Sequence, residues 1–256
     1  MVAGLAFLAT AIATVFAQAT LVRWTRSRAP HQAAWTIALA MFAAASAALA
    51  LGASTGWDAG LFRAFYLFGA ILNVVWLALG TVYLLRGRRA GDAARLGLLL
   101  FSGFAAGVVL VAPLTAPIDP LGGIPTGKDH FEAAPRILAA VGSGVGAVVL
   151  LAGALWSAAR YARRRDDPAA RRLAAGNVLI ALGTLVLSSG GLAQGVVGDD
   201  EAFALSLAIG IAVIYAGFLV AGSSAAVSRA RSENRRTLPV NDRGSSSTSS
   251  TRVGTL

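Results

Sequence analysis

Polar side chains inside long apolar stretches are the groups in this sequence best placed for chemistry. Asn73 lies in the middle of one such stretch, and Tyr66 and Trp76 share its face of a helix by their spacing. An unpaired amide is costly in lipid, so Asn73 must face a neighbouring helix, a water or a solute. We interpret this stripe first as a packing surface, since asparagine often bridges membrane helices, and second as a solute contact.

A second polar stripe lies in a later apolar stretch and consists of Asn177, Thr184 and Ser188. Small residues alternate with these side chains and let helix backbones approach closely, so packing is again the first interpretation. The run SSGGLAQG, which begins at Ser188, would alternatively break the helix, as in transporter binding sites. The two stripes together form a candidate midplane site for helix packing or for a small polar solute.

A third candidate lies in the proline-rich stretch PLTAPIDPLGGIPTGKDHFEAAP, which we predict to be neither helix nor strand. Asp129, His130 and Glu132, together with Asp119, offer oxygen and imidazole ligands for a cation, and His130 could titrate as a pH sensor. Their spacing matches no known metal motif, so a solvated loop without metal is the first interpretation.

Catalytic constellations are missing from the sequence. None of the 12 acidic residues or 2 histidines falls in the middle of an apolar stretch, and cysteine is absent. His31 and His130 fall on opposite sides of the predicted bundle, and no phosphate-binding or dinucleotide-binding motif occurs. We therefore predict no enzyme activity and no cofactor, and proton-driven pumping is disfavoured as well.

The apolar stretches are long enough to be membrane spans, because about 20 apolar residues cross a bilayer core of about 30 Å. Hydrophobic residues make up 56% of the chain and charged residues only 13%, unlike a soluble domain. The sequence predicts an all-α bundle of seven transmembrane helices. Their predicted ranges are 1–22, 33–53, 61–85, 96–112, 137–158, 173–197 and 202–222.

Basic residues predict the orientation of this bundle. Of the 22 lysines and arginines, 19 fall in alternate loops and in the C-terminal segment, which the positive-inside rule assigns to the cytoplasm. The N-terminus is thus predicted outside the cytoplasmic membrane, as is the outer loop at 113–136. Because the charge is divided among short loops, we expect no nucleic-acid binding. The first arginines of the C-terminal segment could contact anionic lipids at the cytoplasmic face, but a role in stopping translocation is the first interpretation.

The two ends of the chain carry further predictions. Ala17-Gln18-Ala19 resembles a signal-peptide cleavage site, but no basic residue precedes the apolar run, so a retained first span is favoured. Residues 223–256 are basic and rich in serine and threonine, which predicts a disordered cytoplasmic tail.

An internal repeat is one interpretation of the loop pattern. Residues 23–85 and 160–222 both have basic residues, a proline, a span, an acidic turn and another span in that order. With the fourth span as a linker, the layout resembles the 3+1+3 SWEET and PnuC proteins and the microbial rhodopsins. The positive-inside rule alone would also give this pattern. The only lysine, Lys128, lies in the outer loop, so retinal attachment is excluded.

The segment FRAFYLFGAILNVVWLALGTVYLLRGRR, at 62–89, is similar to the third span of uncharacterised seven-helix membrane proteins of high-GC actinobacteria. That resemblance implies the architecture and no particular activity.

Three functions remain open at this point. The first is a non-enzymatic protein of the cytoplasmic membrane that acts through helix association or as an accessory component. The second is a small-solute facilitator of the 3+1+3 kind, and the third is an outward-facing sensor. The sequence leaves the oligomeric state open.

Overall fold

The computed structural model describes residues 1–163 and 167–237, and helices form its long elements. The elements are α1 (Val2–Ser27), α2 (Pro30–Thr55), α3 (Ala59–Phe65), a π-helical stretch (Tyr66–Leu72), α4 (Asn73–Val111), α5 (Gly127–His130), α6 (Ala133–Ala162), α7 (Pro168–Val197) and α8 (Asp200–Thr237). Within these residues the extended pairing is limited to one isolated bridge between Leu114 and Phe131. The prediction of an all-α fold is confirmed.

The helix ends follow local sequence signals. Pro30 and Pro168 begin α2 and α7, where a residue without an N–H costs no intrahelical hydrogen bond. Asp58 caps α3, because its carboxylate accepts hydrogen bonds from the backbone N–H groups of Gly60 and Leu61 at 2.7 and 2.9 Å. Each of these ends lies within a few residues of the predicted span boundary.

In the described part of the chain, six helical segments are long and apolar enough to cross a membrane. Every predicted span matches part of one of them to within about five residues, and the predicted third and fourth spans share the segment Ala59–Val111. That segment has 53 residues, which would extend about 80 Å as one straight helix, far beyond a bilayer core of about 30 Å. The composition is that of a multi-pass membrane protein.

The long segment folds back on itself at Gly87. The backbone there has φ +81°, a left-handed value that glycine adopts without strain. The indole N–H of Trp76 donates to the hydroxyl of Ser102 at 3.1 Å, although a straight helix would separate these residues by about 39 Å. Residues 59–86, the third arm, and residues 88–111, the fourth arm, are therefore antiparallel neighbours.

Six of the helical arms pack side by side in a closed ring. The order is α1, α2, the third arm, α6, α7 and α8, and α8 returns to contact α1. The third arm runs antiparallel to α2, because Trp35 donates to the carbonyl of Leu77 at 3.2 Å while Ala45 lies against Gly69. The hairpins α1–α2, α6–α7 and α7–α8 are antiparallel because their connections are short.

Two contacts in the ring join helices that run in the same direction. Ser143 of α6 donates to the carbonyl of Ala70, and Gly153 further along α6 lies against Thr81, so the third arm and α6 are parallel. The helices α1 and α8 are also parallel. This follows because the other contacts of the ring, followed from α1 round to α8, reverse the helix direction an even number of times. The fourth arm lies outside the ring and packs against the third arm.

Large apolar side chains are exposed on the outside of the ring and on the fourth arm. Leu100, Phe104 and Val148 are between 64% and 70% exposed. Because a bilayer core is as apolar as these side chains, such a surface suits lipid. The interior packs in two clusters, one around Phe62 and Phe131 and the other around Phe16 and Phe218.

Two segments differ from the prediction. The helix α8 continues to Thr237, so residues 223–237, predicted as disordered, are helical, while 238–256 lie outside the described residues. Extending an existing helix requires no new nucleus, which explains how a polar segment can continue it. The predicted irregular loop at 113–136 contains the short helix α5, and α6 already begins at Ala133.

Candidate functional site: a vestibule inside the helix ring

A cavity of about 80 Å³ lies inside the ring, in the half that contains the turn between α1 and α2. We call it the vestibule. All six ring helices contribute to its lining and, among the described residues, the fourth arm does not. The lining residues are Phe16, Trp35, Leu77, Thr81, Leu84, Leu85, Leu150, Gly153, Ala154, Ser157, Asn177, Ile180, Ile214 and Phe218. The wall is mainly apolar, with a few polar groups and three aromatic rings.

The predicted stripe of the third arm does not face the vestibule as a whole. Tyr66 is buried beneath the outer loop, where its ring lies 5.0 Å from that of Phe131. Trp76 points out of the ring to the fourth arm through its hydrogen bond with Ser102. These two side chains hold parts of the protein together and do not form the predicted shared site.

The helical spacing of the third span predicts that its apolar side opposite the stripe faces lipid, but the structure shows this prediction to be wrong. Leu67 and Ile71 are 7% and 0% exposed, and Val74 lies against Gly146 of α6. The arm is covered on one side by α6 and on another by the fourth arm. The π-helical turns at Tyr66–Leu72 also rotate the residues after them about the helix axis relative to the residues before them. A stripe drawn with a regular α-helical period does not include this rotation.

Asn73 begins the regular helix after the π-helical stretch and is only 7% exposed. Its side-chain oxygen is buried and has no hydrogen-bond partner among the described residues. Positions 73, 77 and 84 share one face of the helix, and Leu77 and Leu84 line the vestibule. Asn73 therefore lies one turn beyond Leu77, past the end of the vestibule that faces away from the α1–α2 turn. Its side-chain oxygen would be stabilised by a hydrogen-bond donor.

The stripe of α7 divides between the vestibule and the helix itself. The amide of Asn177 lines the vestibule and donates to the hydroxyl of Ser157 at 3.2 Å and to the carbonyl of Leu173 at 2.9 Å. Thr184, 4% exposed, donates to the carbonyl of Ile180, and Ser188 is half-buried one turn further on. Ser157 was missed because a single serine near a helix end carries no sequence signal.

The helix α7 is continuous from Pro168 to Val197, so the alternative interpretation, a break at SSGGLAQG, is wrong. Its close packing uses a different stripe from the predicted one. Gly176, Gly183 and Gly190 lie against α8, where a Cβ added at Gly183 would lie 2.8 Å from the carbonyl oxygen of Gly210. Packing against α8 stabilises a glycine-rich segment that has poor helix propensity on its own.

Aromatic and basic side chains gather at the end of the vestibule that lies beside the α1–α2 turn. The guanidinium of Arg23 lies 4.1 Å from the centre of the Phe218 ring. Trp35 meets the same ring edge-on at 6.3 Å, and His31 in turn packs on Trp35 at 5.2 Å. In the sequence, Arg23 is only one of the basic loop residues, and His31 is only a histidine on the opposite side of the bundle from His130. The approach of α1, α2 and α8 makes them neighbours.

The outer loop covers the opposite end of the ring. The backbone N–H of Trp57 donates to the carbonyl of Pro120 at 2.9 Å, and that of Ile124 donates to the carboxylate of Asp200 at 2.8 Å. Gln194 donates to the carbonyl of Ile124 at 3.4 Å. These contacts fix the loop to the ends of α2, α7 and α8, so it closes the ring on this side.

The outer-loop candidates are brought together only in part. Asp129 accepts a hydrogen bond from the Thr126 hydroxyl at 2.6 Å, His130 lies 3.3 Å from the carbonyl of Ala116, and Glu132 is exposed before α6. A hollow of about 220 Å³ lies beside Asp119, Asp129 and His130, but these groups stabilise the loop itself. Within the described residues, no three side chains are grouped to hold a metal ion.

No protein-family model, no curated protein and no solved structure matches this chain. The resemblance of residues 62–89 to actinobacterial seven-helix proteins therefore stays a prediction.

Proposed function

We propose that the protein crosses the cytoplasmic membrane seven times and facilitates the passage of a small solute through its helix ring. The observation that carries this proposal is the vestibule, because all six ring helices line one cavity. Helix packing alone would fill such a space with side chains, since protein interiors are close-packed. Solute sites in helical membrane proteins are expected between helices in this way.

The fold-back at Gly87 supports seven crossings, since each arm of the long segment is long enough for one. The basic residues Arg28, Arg88 and Arg163 all fall at one end of the antiparallel arms, which supports a cytoplasmic location for that end. The N-terminus would then lie outside. In this orientation the vestibule opens toward the cytoplasm and the outer loop closes the opposite side.

A 3+1+3 repeat is part of the proposal. A two-fold axis that relates the first three ring helices to the last three would superimpose the contact between the third arm and α6 on the contact between α8 and α1. Both are contacts between parallel helices, and the fourth arm lies outside the ring, as a linker would. The proposed role is not enzymatic, because no acidic or basic side chain lines the vestibule among the described residues.

Single cysteines test the proposal directly, because the chain has none of its own. In inside-out vesicles, Ser157→Cys should react with a small hydrophilic thiol reagent, because it lines the vestibule. The matched control is Leu155→Cys on the same helix, which is 58% exposed on the lipid side and should react little. Equal rates at the two positions would overturn the vestibule as a water-filled site.

Passage requires that the deep end also becomes accessible. Asn73→Cys should react from the cytoplasmic side and, more slowly, from the outside, because a facilitator must open at both ends. Orientation is checked in whole cells with an impermeant maleimide. Lys128→Cys should be labelled in intact cells and Arg88→Cys only after permeabilisation, and the reverse pattern would invert the proposed topology.

Association through the fourth arm is a second candidate function. Gly103 and Gly107 have no neighbouring atom within 4 Å of an added Cβ, so this glycine pair faces outward. Glycines at this spacing allow close helix contacts in membranes. If the Phe104→Cys variant crosslinks between two copies, and the added substitution Gly107→Ile abolishes this crosslink, association through this face is supported. If the protein is monomeric whether or not it carries Gly107→Ile, association through this face is excluded.

A further inference from the structure

The side chain of Asn73 carries a buried polar group without a partner. The residue is only 7% exposed, and its side-chain oxygen accepts no hydrogen bond among the described residues. An acceptor in this state costs about 1–3 kcal/mol, and the surrounding lipid offers no donor to relieve it. A small molecule inside the ring that carries a donor would remove this cost.

Thr184 offers a second acceptor inside the ring. It is buried on the same face of α7 as Asn177 and Ile180, which both line the vestibule. Its hydroxyl proton is already used, because it donates to the carbonyl of Ile180 at 2.8 Å. The lone pairs of this hydroxyl remain able to accept from a solute that has N–H or O–H groups.

These polar positions follow one another in depth through the ring. On α6, Ser157 is level with Asn177, and Gly146 lies against the residue that follows Asn73, so the two amides are about 16 Å apart along the ring. Because α7 is antiparallel to α6, Thr184 lies about 10 Å along that distance from Asn177. The acceptors of Thr184 and Asn73 therefore continue inward from the vestibule.

The vestibule adds a donor and excludes charge. Ser157 accepts the hydrogen bond of Asn177, so its own hydroxyl proton is available to an acceptor of a solute. Among the described residues, no acidic or basic side chain lines this cavity. An ion here would lose its hydration without a counter-charge, which costs far more than the transfer of a neutral polar group.

The size of the cavity limits the solute further. A volume of about 80 Å³ corresponds to about two or three water molecules, whereas a cavity known to bind benzene has about 150 Å³. The solute must therefore be smaller than an aromatic ring.

We propose that the solute of the helix ring is a small uncharged molecule that both donates and accepts hydrogen bonds, of the urea class. Its carbonyl accepts from the hydroxyl of Ser157 in the vestibule, and its N–H groups donate to Thr184 and then to Asn73 as it moves inward. This inference rests on the proposed function, for which it names the substrate class.

The test compares urea with guanidinium, a planar cation of nearly the same size and shape. The full chain is reconstituted in lipid vesicles, and the uptake of each radiolabelled probe is measured well below saturation, with protein-free vesicles as the blank. Potassium and valinomycin hold the membrane potential at zero, so that accumulated charge does not limit the cation.

Two substitutions remove the proposed acceptors, Asn73→Leu and Thr184→Val. Thr14→Val is the matched control for the second, because Thr14 donates to the carbonyl of its own helix at Thr10, also at 2.8 Å, but is exposed on the outside of α1. Thermal unfolding of Asn73→Leu is measured as well. This variant should be at least as stable as wild type, because an unpaired acceptor is replaced by an apolar side chain.

We expect wild type to take up urea above the blank and guanidinium at least about a hundred-fold more slowly. Asn73→Leu and Thr184→Val should each slow urea uptake by about two- to ten-fold, the worth of one hydrogen bond. Thr14→Val should leave the rate unchanged, since its hydroxyl does not meet the solute.

Three results would overturn the urea-class solute. Guanidinium uptake as fast as that of urea, or urea uptake that neither Asn73→Leu nor Thr184→Val slows, would refute it while leaving the facilitator intact. If Asn73→Leu is less stable than wild type, its amide packs helices and does not contact the solute. Absence of urea uptake above the blank would also refute the inference, and Ser157→Cys labelling would then decide the facilitator separately.

Discussion

The contact between the third arm and α6 permits a matched test of the ring. A Cβ added at Gly146 would lie 2.8 Å from the backbone carbon of Val74 and 2.9 Å from the backbone nitrogen of Val75. These atoms belong to a helix backbone and cannot rotate away, so Gly146→Ala must push the two helices apart. Gly144, two residues earlier on the exposed face of α6, has nothing within 4 Å and is the control.

The two substitutions gain the same helix propensity, about 1 kcal/mol, so this gain cancels in their difference. Overpacking of a well-packed contact costs about 1–3 kcal/mol. Gly146→Ala should therefore be less stable than Gly144→Ala by that amount. For a chain of this size the midpoint of thermal unfolding should fall by roughly 2–4 °C for each kcal/mol.

The assay is thermal unfolding of both variants in the same mild detergent, with cysteine labelling at Ser157→Cys in each background as a second readout. Separation of the third arm and α6 should also increase labelling in the vestibule, because both helices line it. Equal stability and equal labelling of the two variants would refute the assigned contact, and with it the ring.

Further predictions concern the arms and the outer loop. Removing the Trp76–Ser102 hydrogen bond, by Trp76→Phe or Ser102→Ala, should cost about 1 kcal/mol, with strong coupling in a double-mutant cycle of unfolding free energies. Asp200→Ala should speed proteolysis of the outer loop and Glu201→Ala should not, since only the first carboxylate bonds this loop; equal rates would contradict the anchoring. Arg63 donates to carbonyls at the end of the fourth arm, so Arg63→Leu should accelerate amide exchange there, as measured by mass spectrometry.

The helical segments were predictable because lipid imposes a simple rule on sequence. Each span must be apolar for about 20 residues and satisfy its own backbone, so a stretch such as 137–158 is recognisable without knowledge of its neighbours. Pro30 and Pro168 mark helix starts by their missing N–H for the same local reason. The helix α6 is longer than its predicted span because its first turn lies beyond the apolar part.

The site was predictable only in part. Asn73 and Asn177 were identified because an amide in an apolar helix needs a partner, and both lie on the inner side of the ring. The direction of Trp76 was not predictable, since it depends on the fold-back of the fourth arm onto the third. The face formed by Leu67, Ile71 and Val74 has the same apolar composition whether lipid or α6 covers it, because both of these surroundings are apolar. The sequence therefore does not distinguish the two cases.

The sequence by itself determined the helices, their approximate ends and the concentration of basic residues in alternate loops. All of these follow from the transfer of single residues between water and lipid, which needs no knowledge of distant contacts. Tertiary structure alone decided the ring, the vestibule and the position of Arg23 over Phe218. Those depend on which helices meet, and this is set by close packing between residues far apart in the chain, such as Gly146 with Val74 and Phe16 with Phe218.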